Sequence, residues 1–151
     1  MKSCVHCQAV KRPTFIEIAV AEIVLTGHFV AAFKLYNQAA EQGSAEAMFE
    51  LGLIHGSGRD DVKRDMDKAR EFYLKAANLG HAKAQYYYGV TYFRGEGVTT
   101  GYVQGHAWMN VALENGYEAA KSYIETLEEI LSEEDLEESK AISDKLLAEI
   151  K

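Results

Sequence analysis

The one group of residues with metal-ligand character is Cys4-Val5-His6-Cys7. Two thiolates at this spacing can close on one zinc ion, but a tetrahedral structural site needs a second pair of ligands and the chain has no other cysteine. Cys4, His6 and Cys7 are therefore weak metal candidates, which His28 or a second chain would have to complete. A redox pair and plain reduced thiols in a tail are the competing readings. The remaining histidines, His28, His55, His81 and His106, show no paired spacing, and His55 is expected as a hydrogen-bonded packing residue. No serine sits in a nucleophile elbow, and Gly95-Glu96-Gly97 lacks the lysine of a phosphate-binding loop. The acidic run from Glu133 to Glu138 follows Ser132, so it reads as a capped helix start and a solvated face rather than an acid-base pair.

With chemistry reduced to these weak signals, the informative pattern is a repeat. Ala39, Ala40, Gly43, Ala47 and Gly52 recur 37 residues later as Ala76, Ala77, Gly80, Ala84 and Gly89. A weaker copy follows after 36 residues, where Ala112, Gly116 and Ala120 answer Ala76, Gly80 and Ala84. Between these points, Met66, Ala69, Phe72, Tyr73, Ala76 and Gly80 share their spacing with Tyr102, Gly105, Trp108, Met109, Ala112 and Gly116. Phe29, Ala32, Leu35, Tyr36, Ala39 and Gly43 form the upstream copy. The spacings are helical, and each run ends at a glycine, so each unit is a hairpin of two helices that cannot bury its apolar face alone. Helices are predicted over 28–42, 45–55, 65–79, 82–93, 105–114 and 118–131, with Ser44 as a cap. Small residues at Ala45, Ala47 and Gly52 let neighbouring helices approach closely.

Composition agrees with a folded, helix-rich domain: 48% of the 151 residues are hydrophobic and there is a single proline. The net charge of -7 sits entirely in residues 125–151, which hold ten acidic and three basic side chains, while the rest of the chain balances at thirteen of each. A neutral body with an acidic end offers no basic face for nucleic acid or an anionic membrane. The apolar stretch Phe15 to Leu25 is interrupted by Glu17 and Glu22 and follows Pro13, which fits neither a secretion signal nor a membrane span. A cytoplasmic location is the expectation. Thr14 can cap a helix through that stretch to Gly27, and its excess of apolar residues implies folding against the tail or a homodimer contact.

The motifs Ala-x-Ala-x-x-x-Leu/Tyr-Gly, Gly95-Glu96-Gly97-Val98 and Ala-x-x-Phe/Trp-Tyr/Met-x-x-Ala-Ala/Leu-x-x-Gly resemble the Sel-1-like repeat, a relative of the tetratricopeptide repeat, over roughly residues 27–151. The resemblance implies an all-α, right-handed α-α superhelix. It divides the chain into a tail at 1–13, an array of about three to three and a half repeats at 14–131, and a capping helix at 132–151 running through Leu136, Ile142, Leu146, Leu147 and Ile150. It also implies a non-enzymatic, cofactor-free module that holds a peptide or a partner helix in a groove lined by the first helix of each repeat. Glu50, Lys83 and Tyr87 are the candidate contact residues, whereas Tyr88, Tyr92 and Trp108 align with packing positions. The alternative is a β-lactamase-like or zinc-dependent hydrolase. The relatives for which such activity has been proposed carry cysteines at the repeat period, and this chain does not.

Overall fold

The computed structural model describes residues 29–59, 62–96 and 101–150. The chain divides into two compact units at Leu35/Tyr36. Of the first unit the described part is the start of α1 (Phe29–Glu41), where Phe29 and Phe33 stack with ring centroids 6.2 Å apart. The Cys4-His6-Cys7 group and the Phe15–Leu25 stretch lie outside the described residues.

The second unit continues α1 and contains α2 (Ala45–Ser57), α3 (Met66–Asn78), α4 (Ala82–Arg94), α5 (Tyr102–Glu114), a 3-10 turn (Glu118–Ala120), α6 (Lys121–Glu128) and α7 (Glu133–Glu149). The described residues contain no strand. In sequence order α2 packs on α3, α3 on α4 and α4 on α5, and α5 also carries α6 and α7. This is an all-α solenoid of helical hairpins.

The period has a local cause in the turns. After α3, His81 N–H reaches back to Ala76 O at 3.2 Å and Gly80 N–H to Ala77 O at 3.0 Å, with Gly80 at φ 82°. That bond pair closes a helix only when the intervening residue is left-handed, which glycine adopts freely. The same pair of bonds recurs after α1 (Ser44 to Ala39, Gly43 to Ala40) and after α5 (Tyr117 to Ala112, Gly116 to Leu113). The next helix then starts on a side-chain cap: Ser44 Oγ accepts from Ala47 N–H at 3.2 Å before α2, and His81 Nδ1 accepts from Ala84 N–H at 3.1 Å before α4. Tyr117 offers no such bond, and the predicted helix at 118–131 enters through the 3-10 turn and stops at Glu128.

The packing positions fall as the period predicts for Ala69, Ala76, Ala77, Ala84, Ala112 and Ala120, all fully buried, and for Trp108 and Tyr88. Tyr92 is only half-buried. The closing helix differs from expectation. Ser132 and Asp135 form a capping box that starts α7, but its buried residues are Ser139 and Ser143, while Leu136, Ile142, Leu146, Leu147 and Ile150 are half-exposed. Small residues allow α7 to lie close on α5, and Leu146 and Ile150 pack sideways against the cluster around Tyr73 and Trp108. Among the described residues no helix is long and apolar enough to cross a membrane.

Candidate functional site

The first helices α2, α4 and α6 contribute to a shared cleft of about 400 Å³. From α2 come Leu53, Gly56 and Ser57; from α4, Tyr86, Tyr87, Val90, Thr91 and Arg94; from α6, Tyr123. Met66 and Tyr73 of α3, with Arg64 before it and Glu96 after α4, complete the walls. This volume suits a few side chains of an extended segment rather than a whole helix.

The walls are a continuous set of aromatic rings. Phe49 meets Tyr87 edge-on at 5.3 Å, Tyr87 meets Tyr73 at 5.6 Å and Tyr86 at 5.5 Å, and Tyr86 meets Tyr123 at 5.5 Å. Such pairs hold one another's rotamers, so the cleft is a preformed surface. Burial, followed by the nearby Tyr87, Glu96 and Glu50, raises the Tyr73 hydroxyl well above the ordinary tyrosine range. Burial and then Tyr123 raise Tyr86 in the same way. Both hydroxyls stay neutral, and that of Tyr86 is engaged with Tyr123. The rim is charged. Arg64 donates through Nε to Gly56 O at 3.1 Å and lies 3.9 Å from Glu96, while exposed Arg94 has no ion pair among the described residues.

Of the three sequence-predicted contact residues, Tyr87 lines this cleft and Glu50 and Lys83 do not. They stand one turn earlier on α2 and α4, near enough for Lys83 to act on Glu50. Burial, then Glu46, raises the Glu50 carboxyl against the opposing pull of Lys83 and Arg59. Tyr87 is half-buried among Phe49, Tyr73 and Tyr86 rather than turned away from the packed face, because the next ring along the row covers it. His81 was not marked by its sequence. It caps α4 through Nδ1, which leaves Nε2–H to meet Glu46 Oε2 at 2.7 Å across the repeat boundary. His55 stacks flat on Phe72 with centroids 5.6 Å apart, and burial lowers its pKa.

A second polar group lies where α5, α6 and α7 meet. His106 Nδ1 is 2.7 Å from Ser139 Oγ and 3.2 Å from Asn110 Nδ2, and the two contacts place the ring proton on Nε2. Nε2 is buried without a hydrogen bond, with Glu128 Oε1 3.9 Å away. Serine, histidine and a carboxylate are the residue types of acyl transfer, but Ser139 is fully buried and no substrate carbonyl could reach its Oγ. The group is a clamp between helices. Among the described residues no three His, Cys, Asp or Glu side chains come together as a metal site.

Fold and cleft together define a helical-hairpin repeat protein whose first helices line a shared aromatic surface. The family model for the Sel1 repeat matches residues 29–44, 45–81 and 82–117, and the chain belongs to that family. It is 34% identical over 65 residues to HRD3A of Arabidopsis thaliana, an ERAD-associated E3 ubiquitin-protein ligase component, a match covering 43% of this chain and 10% of that protein. In structure it is similar to a protective antigen of uropathogenic Escherichia coli strains displaying an SLR fold, with a TM-score of 0.79 at 28% identity over 86% of this chain and 28% of the other. A Sel1 repeat protein from Oxalobacter formigenes gives a TM-score of 0.58 at 36% identity, covering 62% and 38% of the two chains. The chain thus spans about a tenth of the curated relative and about a quarter of the first structural neighbour.

Proposed function

We propose that the protein is a non-enzymatic adaptor that receives an extended segment of a partner protein in the cleft between α2, α4 and α6. The observation that carries this reading is the row of mutually packed tyrosines lining a cleft of peptide-side-chain size. Rigid aromatic rings supply contact area at low entropic cost, and their hydroxyls can satisfy the backbone groups an extended segment brings with it. Membership of a repeat family, and similarity to a named component of a ubiquitin-ligase assembly, support a role in holding proteins together. The absence of cysteines at the repeat period supports a cytoplasmic site of action. No observation favours a hydrolase.

The test uses affinity capture from the native host with the full chain and two groove variants, Tyr87→Ala and Arg94→Glu. Glu71→Gln on α3 serves as the control outside the groove. Partners should be lost with the groove variants, each checked for native helicity, and kept with the control. If folded groove variants retain every partner of the parent protein, the assignment of the groove is wrong.

A further inference from the structure

Arg70 of α3 is a half-buried cation whose surroundings contain hydrogen-bond donors in excess of acceptors. Its Nη2 donates to Tyr88 Oη at 2.9 Å and to Tyr92 Oη at 2.7 Å, and its guanidinium lies 4.8 and 4.9 Å from the centres of the same two rings. The hydroxyls are 3.3 Å from each other, so one can donate to the other and the second keeps a proton to give. Nε is buried with no partner, and no carboxylate pairs with Arg70 among the described residues. The Tyr88 hydroxyl is raised by burial and then by Tyr92, and the opposing influence is Arg70 itself, with no acidic side chain acting on it. Ring faces compensate part of the cost of holding a guanidinium out of water, but they accept none of its remaining N–H groups.

The next repeat shows what is missing. His106 stands 36 residues after Arg70, at the same position of its helix, and Glu128 stands 36 residues after Tyr92. There the forward-reaching side chain is an imidazole, and it faces a carboxylate at 3.9 Å. At the inner interface the permanently charged member of the pair faces two hydroxyls instead. We infer that Arg70, Tyr88 and Tyr92 form an oxyanion-binding site, in which an oxygen of a carboxylate or phosphoryl group sits against Nη1 and the spare tyrosine hydroxyl. Arg70 and Tyr92 both keep exposed surface, so the oxyanion arrives without parting α3 from α4. Charge-assisted bonds of this kind are the strong ones, and a fixed guanidinium flanked by a hydroxyl discriminates an oxyanion from chloride. The site is separate from the cleft and stands whether or not the cleft binds a peptide.

The experiment follows the Arg70 Nε–Hε resonance of the full chain, labelled at arginine, during separate titrations with sodium phosphate and sodium acetate. Sodium chloride at matched ionic strength is the reference. A saturable shift with either oxyanion, absent with chloride, is the expected result; a tighter response to acetate assigns a carboxylate source and a tighter response to phosphate a phosphoryl one. Tyr92→Phe keeps the ring over the guanidinium and removes one hydroxyl, so it should weaken the response about fivefold, the worth of one hydrogen bond. Oxyanions that give the same unsaturating drift as chloride overturn the inference, as does a Tyr92→Phe midpoint equal to that of the parent protein.

Discussion

In the hairpin α2–α3 the closest approach is a glycine beneath a ring; in α4–α5 it is a glycine against a glycine. A Cβ placed on Gly52 would lie 2.5 Å from the Tyr73 ring and 3.3 Å from Ala69 O. At the matching Gly89 it would lie 3.0 Å from Gly105 O and 3.1 Å from Met109 Cγ, and a Cβ on Gly105 would in turn meet Gly89 O at 3.1 Å. The first hairpin therefore spends its glycine on an aromatic residue, which joins the ring row of the cleft. The second spends two glycines on bringing backbones together, and its bulky residues, Trp108 and Met109, go into the core. The lesson is that one repeat plan yields an aromatic wall in the middle of the array and a tight backbone joint towards its end.

Alanine at Gly52 separates the two designs most sharply and has the largest expected effect. Overpacking a filled core costs about 1–3 kcal/mol, and the helix propensity regained over glycine is about 1 kcal/mol. The net loss for Gly52→Ala should be about 2 kcal/mol, because a buried ring held by Phe49 and Tyr87 cannot swing away. The obstacle is a side chain, so Tyr73→Leu should recover much of the loss, seen as a coupling of about 1 kcal/mol or more in a urea-denaturation cycle. Gly89→Ala has no such rescue, since the nearest atom is the Gly105 carbonyl. A cycle at Gly52 and Tyr73 that is additive would break the comparison.

Gln85 sharpens the same contrast at a smaller scale. It is fully buried on α4, donates to Ala77 O at 3.1 Å and accepts from Asn115 Nδ2 at 2.8 Å, so it ties both ends of its repeat together. The matching residue of the previous repeat is Met48, which makes no such tie. Gln85→Leu should destabilise the fold by about 1–2 kcal/mol through the two hydrogen bonds it removes. Met48→Leu, a near volume-conserving exchange, should change stability by less than about 1 kcal/mol. Parallel urea melts of the two variants check the difference.

The sequence carries these joints to different depths. Ala69, Ala84, Ala112 and the turn glycines declare themselves because close helix packing tolerates only small residues at a fixed period, so the hairpins and their order are legible. Tyr87 was legible as a groove residue, but its packing against Phe49 was not, since ring-to-ring contact across repeats depends on curvature that no spacing encodes. His81 in its bond to Glu46 and His106 in its clamp were invisible for a related reason. Their partners lie 35 and 33 residues away, at Glu46 and Ser139. On α7 the apolar pattern misled, because Ser139 and Ser143 bury themselves through size and hydrogen bonding rather than hydropathy.

The clamp supplies the smallest effect and the most local one. Burial lowers the His106 pKa below its ordinary value near 6.5, and the facing Glu128 only partly opposes this. From α7 the ring meets the uncharged Ser139 hydroxyl, and from its own helix the uncharged Asn110. A group whose folded pKa is depressed contributes stability that is complete above the unfolded value and is lost as pH falls through the folded one. The joint of α5 with α7 should therefore loosen as pH drops below about 6.5, because the proton that arrives at Nδ1 displaces its bond from Asn110 and charges a buried ring. The Arg70 contact between α3 and α4 is made to two tyrosine hydroxyls and involves no histidine. Amide exchange, corrected for the intrinsic effect of pH, should show α7 losing protection in acid, and His106→Gln should remove that loss while leaving unchanged the response of α3, on which His55 with its own lowered pKa is stacked. Removing the opposing carboxylate with Glu128→Gln should depress the folded pKa further and deepen the acid loss in α7. An acid loss in α7 that persists unchanged in His106→Gln would mean that the clamp does not set the response of the outer joint.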